Sequence, residues 1–233
     1  GLAFMSLQTA GAPRVLPWAL VGLVIFQGLL GMWTVTWQLK PLAVTGHLLG
    51  GMSTLALLFW LYLTVRETGG GSRQAAKTRL RFVAGFSLLL LVGQIFLGGW
   101  TSSNYAALAC PDLPTCHGQW WPEMDAKEAF TLWRGLGTNY EYGVLDNRAR
   151  ITIHFAHRLG AAVITAALLL LAALLWRARQ SRMALAVLAA LTLQVGIGLS
   201  IVHLQLPLLL ADLHNAGAAL LLLTLVAVNF HLR

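Results

Sequence analysis

The chain has 233 residues, 58% of them apolar and only 10% charged, and its mean hydropathy is positive. That balance excludes an average soluble domain and makes a lipid bilayer the expected solvent. The net charge of +8 does not point to nucleic acid, because the basic residues sit in short connectors beside apolar stretches, where membrane topology places them.

Six apolar stretches, at 15–36, 42–65, 80–100, 151–176, 183–203 and 207–230, each reach the roughly 20 residues that cross a hydrocarbon core. One such stretch is compatible with a buried core helix, but six are not, so the expected fold class is an all-α membrane protein with six transmembrane helices. The first stretch is too long for a signal peptide and lacks a small-residue cleavage site. A start at Gly1 rather than Met leads to the expectation of an N-terminally truncated product.

Arg66, Arg73, Lys77, Arg79 and Arg81 mark one connector as cytoplasmic, and Arg177, Arg179 and Arg182 mark another. Arg14 and Arg233 put both termini on that side. The expected location is therefore the bacterial inner membrane, with the long connector 101–150 outside, where a disulfide persists. Both cysteines lie in that connector.

Self-comparison finds Gln27-Gly-Leu-Leu-Gly31 followed 20 residues after Gln27 by His47, and Gln194-Val-Gly-Ile-Gly198 followed 20 residues after Gln194 by His214. Each copy has a short loop with proline, Pro41 or Pro207, before the histidine. The second copy is preceded by two further apolar helices and the first is not. This predicts two four-helix units, the first lacking its first two helices. Residues 1–66 are then the closing helix pair of the first unit, 67–79 a cytoplasmic connector, and 80–233 a complete second unit.

In that second unit His157 and His214 each fall about seven residues, or about 10 Å, below the outer end of an apolar stretch. Two imidazoles at matched depth on helices of one bundle are placed to clamp a haem iron from both faces, with the propionates toward the outer surface. Gly160 and Gly217, three residues after each histidine, give small faces for close approach. His154 shares a helix face with His157 and competes as ligand, whereas His203 and His231 lie at helix ends. His47 stands at the same depth in the first unit, as half of a ligand pair. Its helix pair is expected to pack on the complete unit and leave an open apolar groove beside it. Arg148, Arg150 and Arg158 lie near the outer boundary; interfacial anchoring is their plainer reading, pairing with propionates the alternative.

The connector contains Cys110-Pro-Asp-Leu-Pro-Thr-Cys116. A disulfide closing this proline-stiffened loop is the first reading; a metal site from Cys110, Cys116 and His117 is the second, lacking a fourth ligand and the usual zinc spacing. Trp120 and Trp121 suit the membrane interface. Asp125 to Leu136 alternates apolar and charged residues at helical spacing, predicting a short surface helix that lids the bundle.

Several of these segments together resemble the haem A synthases of cytochrome oxidase assembly: Gln-Ile-Phe-Leu-Gly-Gly-Trp-Thr at 94–101, the 110–116 loop, Asn-Tyr-Glu at 139–141 and His-Phe-Ala-His-Arg at 154–158. Gly-Met-Trp-Thr-Val-Thr at 31–36 and Leu-Leu-Gly-Gly after His47 extend the likeness over nearly the whole chain. The resemblance implies an oxidoreductase of two pseudo-symmetric four-helix halves that converts the C8 methyl of haem O into the formyl of haem A. It further implies haem b between His157 and His214, a Cys110–Cys116 disulfide, and substrate haem O received beside His47. The family's partner histidine in the first half, an acidic residue near it and a first outer cysteine pair have no match in this sequence. Haem O synthase and a second copy of the chain are candidate partners, with the electron donor unspecified. Two other function classes compete, a quinol-linked cytochrome b-type carrier and a transporter, though a duplication of unchanged membrane orientation does not suit an inverted-repeat transporter.

Overall fold

A computed structural model describes residues 15–67 and 78–233. Arg14, Arg73 and Lys77, used above to orient the chain, lie outside the described residues. The helices are α1 (Val15–Thr36), α2 (Pro41–Arg66), α3 (Thr78–Ser103), the four-residue α4 (Ala126–Ala129), α5 (Asn147–Arg177), α6 (Ser181–His203) and α7 (Leu208–Leu232), and no strand occurs among the described residues. All but α4 are long and apolar enough to cross a membrane. An all-α membrane protein is therefore what this sequence builds.

The helices start and stop where local chemistry dictates. The Asp146 side chain accepts the Ala149 N–H at 2.7 Å, so α5 begins four residues before its apolar stretch does. Pro41 at the start of α2 loses no hydrogen bond there. Two of the loop-end turns match: Gln38 and Leu39, then Gln205 and Leu206, adopt left-handed φ, and in each the second residue's N–H bonds back to the fifth residue before it, Thr34 or Ile201.

Helices α3, α5, α6 and α7 close into a ring in which each touches the next, and α5 and α7 stand diagonally opposite without touching. Leu91, Leu168, Leu171, Leu175, Val187 and Leu225 fill its interior. With lipid as solvent, close packing rather than release of water holds such a core together. Phe82, Leu89 and Leu208 correspondingly point outward, exposed. The ring is pinned at the end away from the long loop by Asn229, whose side-chain N–H donates to Ala84 O at 3.1 Å. Helix α2 lies against α3 and α7, while α1 touches α2 alone.

The long connector folds over the loop end of the ring. Trp100 is buried there with Ala106, Ala129, Leu145 and Ile153, and its indole N–H donates to Ala129 O at 2.9 Å. The surface helix expected over 125–136 forms only at Ala126–Ala129. Phe130 leaves the helical region at φ −112°, Arg134 folds back to pair with Glu128 and to donate to its carbonyl, and further on Gly135 and Gly137 take positive φ. The segment still lids the bundle through Ala129, but Leu132, Trp133 and Leu136 are exposed.

Candidate functional site

Three helix pairs carry one side-chain arrangement. In each, a glutamine and, four residues later, a glycine on the helix running toward the loop end face a histidine and, three residues later, a glycine on the helix returning from it. The sets are Gln27, Gly31, His47 and Gly50 on α1 and α2; Gln94, Gly98, His157 and Gly160 on α3 and α5; and Gln194, Gly198, His214 and Gly217 on α6 and α7.

The physical reason for each residue is visible in what a Cβ would meet. A Cβ on Gly31, Gly98 or Gly198 would stand 3.2, 3.3 or 3.0 Å from Cε1 of His47, His157 or His214. The imidazole edge thus lies on bare backbone. Across the pair, a Cβ on Gly50, Gly160 or Gly217 would collide with the carboxamide oxygen of Gln27, Gln94 or Gln194. The carboxamide in turn binds the histidine. Gln94 Nε2 donates to His157 O at 2.9 Å and lies 3.0 Å from its Nδ1; Gln27 Nε2 donates to His47 O at 2.9 Å; Gln194 Nε2 lies 3.3 Å from His214 Nε2.

Depth is matched as well. Every glutamine stands nine residues, and every facing glycine five residues, before the last residue of its helix, Thr36, Ser103 or His203. At 1.5 Å per residue the three imidazoles lie roughly 8–14 Å below the helix ends. His157 and His214 belong to the diagonal helices of the ring and are half-buried, whereas His47, on α2 outside the ring, is exposed. One ring nitrogen of each ring histidine has no protein partner, Nε2 of His157 and Nδ1 of His214, the latter buried. To bind iron, that nitrogen must keep the lone pair and the other must carry the proton, which the carboxamide accepts when its oxygen, otherwise buried without a partner, is turned toward it.

His154, one turn before His157, is engaged elsewhere. It is buried, and its Nδ1 accepts the Cys110 N–H at 3.1 Å. A neutral imidazole has one lone pair, so the 3.3 Å approach of Arg158 Nε to the other nitrogen is a packing contact rather than a second accepted bond. Arg158 itself donates to Cys110 O, Asp112 O and Thr115 O at 2.6, 2.8 and 3.0 Å. His154 and Arg158 therefore tie the 110–116 loop to α5. Within it Cys110 and Cys116 are joined by a disulfide, which removes both sulfurs from metal binding. His117 Nε2 is spent on Ala109 O at 2.8 Å. The Asp112 carboxylate is held well below the usual range by the Thr115 hydroxyl first, then by the Gly118 and His117 N–H groups, against a smaller opposing effect of burial. Arg148, on the other hand, pairs with Glu123 at 2.8 Å in an exposed setting.

Two features escaped the sequence reading. The α3–α5 set is the third copy of the repeat, hidden because Gln94 and His157 are 63 residues apart rather than 20. Its signal is a Gln-x-x-x-Gly and a His-x-x-Gly motif at any separation, both present in the sequence. Lys40, in the α1–α2 turn, is 1% exposed and had no signal in the sequence beyond its place next to a proline.

Six helices long and apolar enough to span, with imidazoles matched in depth near one end, define a polytopic helical membrane protein. Residues 2–226 match the model of the cytochrome oxidase assembly protein family, and the chain belongs to that family. It is 49% identical over 230 residues to the haem A synthase of Shewanella oneidensis, covering 98% of the chain and 70% of that relative. It is 32% identical over 225 residues to the haem A synthase of Bradyrhizobium diazoefficiens and 30% identical over 216 residues to that of Rhodopseudomonas palustris, spanning 58% and 54% of those proteins. The resemblance seen in the motifs is borne out, and with it an assignment to haem A biosynthesis; a carrier that modifies nothing is not favoured.

Proposed function

We propose that this chain supplies the haem-holding half and part of the substrate half of an oxidoreductase that turns the C8 methyl of haem O into the formyl of haem A. His157 and His214 hold haem b across the α3, α5, α6, α7 ring, and His47 faces substrate haem O beside α2. The carrying observation is the threefold recurrence of the Gln, Gly, His, Gly crossing at one depth, twice on the diagonal helices of a closed ring.

Bis-imidazole ligation leaves no open iron position, so the bound group supplies electron relay rather than oxygen binding. Taking a methyl carbon to a formyl removes four electrons, and a relay next to the substrate suits that demand. The chain's own part is to present two imidazoles in fixed orientation, to exclude water with the ring core, and to keep the substrate imidazole outside the ring. Basic residues at the end away from the loop, among them Arg66, Arg79, Arg177 and Arg182, favour a cytoplasmic location for that end in a bacterial inner membrane. Haem O synthase as supplier of the substrate and an acceptor for those four electrons are the partners such a reaction calls for.

A reduced-minus-oxidised spectrum of the purified chain tests the ligand assignment. A low-spin haem b is expected, and either His157→Ala or His214→Ala removes it. Retention of the signal in both variants refutes the assignment. Haem A in cells supplied with haem O separates the enzyme from a carrier.

A further inference from the structure

Lys40 is a cation without a counter-charge. Its side chain is 1% exposed, its ammonium donates to Gly135 O and sits 3.3 Å over the Trp133 ring, and none of the chain's eight carboxylates lies within ion-pair distance of it. Burial lowers its pKa, with no acidic neighbour to oppose the effect. A buried charge so placed is costly unless an anion joins it.

Room for that anion is present. Lys40 lines a cavity of about 140 Å³ together with Thr36, Gln38, Thr138 and Tyr140. A carboxylate arm fits this space, whereas a whole macrocycle needs several hundred Å³. The cavity roof is fixed, since Tyr140 N–H donates to Gln38 O at 3.0 Å.

The position of Lys40 also has a meaning. It precedes His47 by seven residues, which is two helical turns, about 10 Å, on nearly the same face. Arg150 precedes His157 by the same seven residues, and its Nε is buried without a partner. A cation two turns toward the loop end thus accompanies an imidazole in both places.

Building on the reading of His47 as the substrate-haem residue, we propose that Lys40 and its cavity bind a propionate carboxylate of the haem at His47. Lys40 is a substrate-positioning residue, and it sets which end of the macrocycle points to the loop.

The test uses purified chain already loaded with its first haem, titrated with a second equivalent of ferric haem b or of its dimethyl ester and followed in the Soret band. Wild type is expected to bind the free acid about tenfold more tightly than the ester, the factor one charge-assisted hydrogen bond contributes. Lys40→Met should abolish the discrimination and Lys40→Arg keep most of it, the first haem's low-spin spectrum reporting that each variant is folded. Discrimination unchanged in Lys40→Met overturns the proposal, as does equal binding of acid and ester by wild type, which would leave a lipid headgroup or free anion as the occupant. No uptake of a second equivalent by wild type, or normal uptake by His47→Ala, overturns instead the reading of His47 on which the proposal stands.

Discussion

Replacing Gly198 with alanine puts a methyl group where the structure has none to spare. Its carbon would stand 3.0 Å from His214 Cε1, about 0.5 Å short of the ~3.5 Å at which two carbons rest. The contact is to a ring rather than to a flexible chain end, and Nε2, bonded to that carbon, already faces Gln194 of the same helix. The imidazole must therefore tilt or α6 and α7 must part. Overpacking of this size costs about 1–3 kcal/mol. At Gly98 the corresponding gap is 3.3 Å, so the strain should be near the low end of that range. We expect Gly198→Ala to lower the thermal midpoint in detergent more than Gly98→Ala does, and to shift the low-spin electron paramagnetic resonance signal through the changed angle between the two imidazoles. The assay reads both quantities on the same sample. Identical midpoints and signals in wild type and Gly198→Ala would refute the idea that glycine is there to seat the ring.

Other outcomes follow from the same geometry. Gln94→Leu removes the donor to His157 O and the neighbour of Nδ1, but also a buried carboxamide oxygen that has no partner. Its stability loss should stay near 1 kcal/mol or below, while the midpoint potential of the haem moves; an unmoved potential would make Gln94 merely structural. Asp112 has a depressed pKa in the folded loop, so its stabilising effect is complete above its unfolded pKa near 4 and is lost as pH falls below that value. Amide protection of His117 and Gly118, corrected for intrinsic exchange, should drop from about pH 5 to about pH 3, and be low at both in Asp112→Asn. A protection pattern in Asp112→Asn equal to wild type would remove the carboxylate from the loop's stability.

Much of this architecture is legible in the sequence because a bilayer imposes one strong rule, a run of about 20 apolar residues per span. The six runs were placed to within a few residues. What hydropathy leaves undetermined is the ends: α5 starts at Asn147 because of the Asp146 cap, not because of apolar sequence. The matched depth of His157 and His214 was legible for the same reason, since rise per residue converts position into depth. The connector was not. Its helical spacing at 125–136 is real, yet the Arg134 side chain takes the Glu128 carbonyl and the backbone leaves the helical region at Phe130, and such competition has no period to detect. Lys40 was equally opaque, because a lysine beside a short turn reads as solvated until the loop from 133 to 140 is seen to cover it.

The tandem Gly98-Gly99 shows how one helix serves two sites. Gly98 bears on His157 of α5, while a Cβ on Gly99 would stand 2.9 Å from Leu48 Cδ2 and 3.2 Å from Thr45 Cγ2 of α2. Adjacent residues on a helix point about 100° apart, so a pair of glycines lets α3 approach two neighbours closely at one level. Leu48 follows His47 directly in sequence. At this level α2 therefore meets α3 through Leu48, beside His47, and Gly99, beside the Gly98 backbone on which His157 rests. A relay haem is useful to a substrate only if the two sites are near each other. On the proposed reading, a haem held at His157 and a substrate at His47 would be brought together by these two bare positions, while the hydrogen bond between Thr45 and Ser103, 3.3 Å long and buried, holds α2 against α3 one turn closer to the loop. Bulk at Gly99 would separate the sites without touching either imidazole, and bulk at Gly98 would disturb His157 without moving α2. The two neighbouring glycines thus carry separable contacts, one to the His157 ring and one to α2.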